Sequence, residues 1–151
     1  MKTMELRRHA RRDQTADRLS PAGRSQAEDA GRACVRTFDL VFVSPAQRAA
    51  DTAAWFLRGA GTQLPDHAVI PGLAGHDESG GSPEGMAAGI RALLDRVPAG
   101  GSALAVSHSP FVERAALGLT GSEVEPMAEL EGLLITQTED GAIAVEEIRL
   151  A

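Results

Sequence analysis

The sequence predicts an α/β protein: a three-layer α/β/α sandwich with a mostly parallel sheet, helices on both faces and a C-terminal hairpin. Three observations lead there. Leu40-Val41-Phe42-Val43 and Ala103-Leu104-Ala105-Val106 are short apolar runs of the kind buried on both faces of a parallel sheet. Ser-Pro pairs that signal helix starts recur between and after these runs. Near the end, Asp140-Gly141 divides two further apolar stretches, as a hairpin turn does.

Each element has its own signal. Met4 to Arg8 reads as a short, partly polar first strand. Ser20-Pro21 then opens a helix expected to run to about Val35, with Ala27, Ala30, Ala33 and Cys34 on its small or apolar positions. Leu40 to Val43 is the second strand, and Ser44-Pro45 repeats the cap-and-proline pattern to open a helix through about Gly59. Val69-Ile70 is a short strand before Pro71, and Gly72 to Gly81 is a glycine-rich acidic loop. Ser82-Pro83-Glu84 starts a third helix with Met86, Ile90, Leu93, Leu94 and Val97 at helical spacing. Ala103 to Val106 is the next strand, and Ser109-Pro110 opens a fourth helix through about Leu119. Leu133 to Thr138 and Ala142 to Ile148 form the hairpin. Strands alternating with helices, without repeat or linker, predict a single domain over residues 1–151.

Composition narrows the function. The 151 residues are 43% hydrophobic and 24% charged, as in soluble globular proteins. A net charge of −6 argues against general nucleic-acid binding. No apolar run approaches the roughly 20 residues that span a bilayer. The first strand starts too early for a signal peptide, and Cys34 stands alone, so the expected setting is a reducing cytoplasm, with neither nucleic acid nor membrane as partner. Cys34 itself reads as a packing residue. Lys2 is the only lysine. Arg7, Arg8, Arg11 and Arg12 crowd the exit of the first strand, where they would focus anions.

Three strands end in residues that can carry chemistry. Arg8-His9 follows the first, Ser44-Pro45-Ala46-Gln47-Arg48 the second and Ser107-His108 the one after residue 103. Open α/β sheets bind ligands at the carboxyl ends of their strands. Two imidazoles and two guanidiniums gathered there suit covalent capture of a phosphoryl group. A neutral imidazole at His9 can attack phosphorus if its second nitrogen is held by an acceptor. Arg8 and Arg48 supply forked donors for phosphate oxygens, with Arg48 in the first turn of its helix, where free N–H groups also favour an anion. His108 completes the set.

These residues sit within motifs that resemble the histidine phosphatase superfamily, also called phosphoglycerate mutase-like. Arg8-His9-Ala10 matches its Arg-His-Gly hallmark except at the third position. Leu19-Ser20-Pro21-Ala22-Gly23-Arg24-Ser25-Gln26-Ala27 and Ser44-Pro45-Ala46-Gln47-Arg48-Ala49-Ala50-Asp51-Thr52-Ala53 match two helix starts, and Val106-Ser107-His108 the second histidine block. Chain length, Arg-His-Ala and His-Ser-Pro make it most similar to the small SixA-like phosphohistidine phosphatases. The resemblance implies a cofactor-free phosphatase with His9 as nucleophile and Arg8, Arg48 and His108 as the phosphate pocket, acting on a phosphorylated protein or a small phosphorylated metabolite.

The chain departs from the family at two places. Thr15, with Gln14 beside it, stands where many members carry Asn, and Gly75 aligns with the general-acid Glu of larger members. Glu78 is the carboxylate put forward as catalytic acid in its stead, with Asp77 and His76 as further candidates; His67 is expected merely to flank a strand. Arg7, Arg11 and Arg12 are expected to rim the pocket. A mutase and a non-catalytic phospholigand-binding module remain open. A metal site from His9, His108 and Asp77 is opposed by the two arginines and by the lack of close ligand spacing.

Overall fold

The computed structural model describes residues 1–150. Its centre is a six-stranded sheet built from β1 (Lys2–Arg8), β2 (Leu40–Val43), β3 (Ala68–Val69), β4 (Ser102–Ser107), β5 (Gly132–Gln137) and β6 (Ile143–Ile148). The order across the sheet is β3-β2-β4-β1-β5-β6. β3, β2, β4 and β1 run parallel, while β5 is antiparallel to β1 and pairs with β6 as the expected hairpin.

Four helices connect and cover the strands: α1 (Pro21–Arg32), α2 (Gln47–Gly59), α3 (Pro83–Arg96) and α4 (Phe111–Thr120). Alternation along each strand divides the interior into two cores. Met4, Leu6, Phe42, Ala103, Ala105, Leu133 and Ile135 face Ile90, Leu93 and Leu94 of α3 and Val112 and Ala116 of α4. Val41, Val43, Leu104 and Val106 face Ala27 of α1 and Ala49, Ala53 and Phe56 of α2. The architecture is the three-layer α/β/α sandwich the sequence predicts. Among the described residues, no helix is long and apolar enough to cross a membrane.

The polar half of β1 has a structural explanation. Glu5 and Arg7 point to the α1/α2 side and are both buried, paired at 2.8 Å. Arg7 also donates to the carbonyl of Leu130 at 2.8 Å and lies 4.9 Å above the Phe56 ring. Arg7 therefore does not rim the pocket as expected. Period-two alternation sends it to the opposite side from Leu6, and its charge is matched inside the protein.

Two helix boundaries shift by two residues or more from the sequence expectation. α1 stops at Arg32, and Val35 beyond it is exposed, so a further turn would have no apolar surface to face. α2 starts at Gln47 instead of Pro45, because Ser44 is drawn elsewhere. The loop after β3 also contains a 3-10 turn over Pro71–Ala74, which buries Leu73.

Candidate active site

β2, β4 and β1 are neighbours, so their carboxyl ends emerge side by side. Arg8 pairs with Ser107 and Val43 with Val106, which places His9, Ser44 and His108 one residue beyond three adjacent strands. The His9 and His108 rings lie 5.1 Å apart, edge to face. A cavity of about 480 Å³ opens there, lined by both histidines, Arg8, Arg48, Ala46 and Ser109 and, on the far wall, by Ala74, His76 and Phe111.

His9 is held in one tautomer. Its Nδ1 lies 2.7 Å from the carbonyl of Ala10, which can only accept, so Nδ1 carries the proton and Nε2 a lone pair. Nε2 accepts from Arg48 Nε at 3.3 Å. The backbone is fixed as well: His9 N–H donates to Ser107 O and Ala10 N–H to Thr52 Oγ1, each at 3.0 Å. Burial lowers the His9 pKa; the hydrogen bond to Ala10 opposes this, and the charges of Arg48 and Arg8 add to it. A neutral, nucleophilic imidazole results.

His108 is neutral for the same reasons. Burial, His9 and Arg48 bring its pKa down to about 4. Arg48 Nη2 lies 3.4 Å from its Nδ1 and is purely a donor, so the proton resides on Nε2 and is given to Ser44 Oγ at 2.6 Å. Ser44 is buried and leaves the start of α2 without a side-chain cap of its own.

Asp17 supplies that cap from a distant loop. Its carboxylate accepts from the backbone N–H of Gln47 and Arg48, at 2.8 and 3.2 Å, and from Arg48 Nη1 at 2.9 Å. Burial would raise its pKa, but these hydrogen bonds outweigh it and hold the carboxyl below its ordinary value. With Nη1 anchored, the guanidinium aims Nε at His9 and Nη2 at His108. Arg8 is positioned from the other side, where Nη1 donates to Met127 O at 2.7 Å and Nε is buried without a hydrogen bond.

The structure thus brings together His9, Arg8, Arg48 and His108, and does not bring Glu78 to them. Glu78 is exposed in the turn after the 3-10 segment and is absent from the cavity lining. The Asp77 carboxylate is taken up by Ser79, whose N–H it accepts at 2.9 Å, so it stands apart from the histidines. Among the described residues, no group of three His, Cys, Asp or Glu side chains is arranged to hold a metal ion. Of the three acid candidates only His76 lines the cavity. Thr15 folds back onto Asp13, and Arg11 and Arg12 are exposed and do not line the cavity.

Asp17, Ser44, Thr52 and Ser109 are the residues at the site that sequence reasoning did not single out for it. For Asp17 there was no local signal, since it acts on a residue 31 positions away. For Ser44 and Ser109 the local signal, a helix cap, pointed elsewhere.

Known proteins resemble this chain in part of its sequence and in its fold. Residues 4–74 match the family model described as histidine phosphatase superfamily (branch 1). No curated protein sequence matches the chain. Among solved structures, the protein histidine phosphatase SixA complexed with tungstate is 23% identical with a TM-score of 0.74, covering 97% of this chain and 96% of that one. Phosphoserine phosphatase from Entamoeba histolytica in complex with 3-phosphoglyceric acid is 16% identical with a TM-score of 0.78, covering 99% and 98%. Phosphoglycerate mutase from Bacillus anthracis str. Sterne is 18% identical with a TM-score of 0.71, covering 97% and 92%. The chain carries the histidine phosphatase pattern in its N-terminal half and the histidine phosphatase fold throughout.

Proposed function

We propose that this histidine phosphatase-fold chain is a metal-independent phosphatase that takes a phosphoryl group onto His9 Nε2 and hydrolyses it. One observation carries the reading: His9 is neutral, with Nδ1 committed to Ala10 and its Nε2 lone pair held beside Arg48. The phosphoryl oxygens would lie between Arg8, Arg48 and His108, with Arg48 Nε leaving His9 for an oxygen. The two guanidiniums supply the positive charge the transition state requires. His9 attacks phosphorus, the leaving group departs, and water then frees phosphate from His9.

The substrate class follows from the far wall. Among the described residues no carboxylate lines the cavity, and Ala74 and Phe111 make that wall partly apolar. An alkoxide needs a proton to leave, and His76 is the lining side chain able to give one. A phosphoramidate such as phosphohistidine leaves readily once its nitrogen is protonated, and its flat ring suits this wall. The favoured substrate is therefore a phosphohistidine-bearing protein, with small phosphoesters next.

The test is phosphate release from phosphohistidine and from p-nitrophenyl phosphate in EDTA, for wild type and His9→Ala. Turnover in chelator that vanishes in the variant is expected, and faster with phosphohistidine. Full activity in His9→Ala would overturn the mechanism. Binding of phosphate without turnover of either substrate would make the chain a phospholigand-binding module.

A further inference from the structure

The cavity wall next to His108 holds a hydroxyl to which the mechanism above gives no task. Ser109 lines the cavity, and its Oγ lies 2.5 Å from Oε2 of Glu113, in the first turn of α4. Glu113 also accepts the N–H of Met127 at 3.3 Å, while its Oε1 is buried without a hydrogen bond. Met127 O is in turn the acceptor that holds Arg8. The carboxylate thus stands directly behind the phosphate pocket, separated from it by one hydroxyl.

That arrangement sets the polarity of Ser109. A hydroxyl has one proton, and Ser109 donates it to the carboxylate, so Oγ turns lone pairs toward the cavity. The surrounding cavity is poor in acceptors. Arg8 and Arg48 only donate, the acceptor nitrogens of His9 and His108 are both engaged by Arg48, and His76 is the other lining side chain with a nitrogen able to accept. A water attacking a phosphoryl group on His9 needs a place for its proton, and Ser109 Oγ is such an acceptor, with a carboxylate behind it to take the charge.

We propose that Ser109 and Glu113 form a proton relay for the hydrolytic half of the reaction, a proposal that rests on the His9 phosphoenzyme reading. The water oxygen bonds to phosphorus as the P–Nε2 bond breaks, and that electron pair returns to the His9 imidazole. The water's proton passes to Ser109 Oγ while Ser109 gives its own to Glu113 Oε2. The proton then returns through Ser109 to the departing phosphate, which restores both residues. Ser109 is catalytic here because it touches the reacting water, and Glu113 is a positioning residue that acts through it.

The two half-reactions separate in a rapid-quench experiment with p-nitrophenyl phosphate. The p-nitrophenolate burst reports capture by His9, and phosphoenzyme preserved by alkaline quench reports hydrolysis. Wild type should form a phosphoenzyme that His9→Ala does not. Ser109→Ala should keep its burst rate within about threefold while hydrolysing the phosphoenzyme at least ~10-fold more slowly, so that phosphoenzyme accumulates. Glu113→Gln, which keeps shape and hydrogen bonds but cannot take the proton, should accumulate it too. Ser109→Ala removes a half-buried hydroxyl and leaves Glu113 its Met127 contact, so the variant should fold with a lowered unfolding midpoint, and its result decides alone if Glu113→Gln fails to fold. Unchanged hydrolysis in Ser109→Ala, or equal slowing of both steps, overturns the relay and leaves the phosphoenzyme reading standing. Absence of phosphoenzyme in wild type overturns both.

Discussion

Arg48 is anchored by Asp17, a residue 31 positions earlier in the chain, through a 2.9 Å ion pair at the N-terminus of α2. The same carboxylate caps the helix. One side chain therefore fixes both the helix that carries Arg48 and the direction its guanidinium points.

Replacing Asp17 should separate these two effects. Asp17→Asn can still accept from the helix N–H groups but loses the ion pair, so kcat/KM should fall roughly 10- to 100-fold as Arg48 loses its aim. Asp17→Ala loses the cap as well and should cost about 1 kcal/mol of stability besides. Steady-state kinetics with urea denaturation of both variants checks this. Unchanged kinetics in Asp17→Asn would remove Asp17 from the site.

Ser44→Ala tests the partner of His108. The substitution leaves a buried imidazole N–H without its acceptor, which costs about 1–3 kcal/mol. It also frees His108 to change tautomer and lose the Nδ1 contact with Arg48. Activity should fall with stability, and a shifted His108 imidazole signal in NMR would report the tautomer. A variant as stable as wild type with an unchanged His108 signal would contradict the assignment.

The two histidines set an acid limit on stability. Their pKa values are lowered in the folded protein, that of His108 to about 4, chiefly by burial, against 6.5 for an unperturbed histidine. Between these values the unfolded chain binds more protons, so stability is fully present above about pH 6.5 and declines as pH falls toward 4. For His108 the displacement is equivalent to about 3 kcal/mol. Urea midpoints between pH 7 and 4.5 should fall more steeply in wild type than in His108→Asn. Equal slopes would mean that His108 is not the group responsible.

Gly81 supports the far wall. Its φ is +76°, and a Cβ there would come within 3 Å of the Phe111 ring, which lines the cavity. Gly81→Ala should cost about 1–2 kcal/mol for the left-handed backbone alone, displace Phe111 and raise KM more than it lowers kcat. A KM equal to wild type would show that Phe111 does not shape the substrate side.

Much of this protein was legible in its residues. The apolar runs at 40–43 and 103–106 gave the buried strands, and Asp140-Gly141 gave the hairpin, because such patterns depend on local periodicity and turn geometry. His9, Arg8, Arg48 and His108 could be gathered from sequence because parallel strands share a carboxyl edge. Glu78 could not be placed, because its position depends on how a glycine-rich turn folds, and the turn leaves it in solvent.

The four Ser-Pro pairs mark the boundary between the two kinds of information. Ser20 and Ser82 cap their helices, accepting from Gly23 and Gly85 as the local pattern predicts. Ser44 and Ser109 have the same proline neighbour but lie three and two residues ahead of Gln47 and Phe111, where α2 and α4 begin, and bond to His108 and Glu113 instead. By itself the sequence determined that a helix follows each pair, and Pro21 and Pro83 take the first helical position as such pairs do, whereas Pro45 and Pro110 stay outside theirs. Only the tertiary structure decided which serines cap. At Ser44 a buried imidazole brought 64 residues along the chain by sheet pairing offers a better partner than a solvent-accessible N–H, and Asp17 takes over the abandoned helix end.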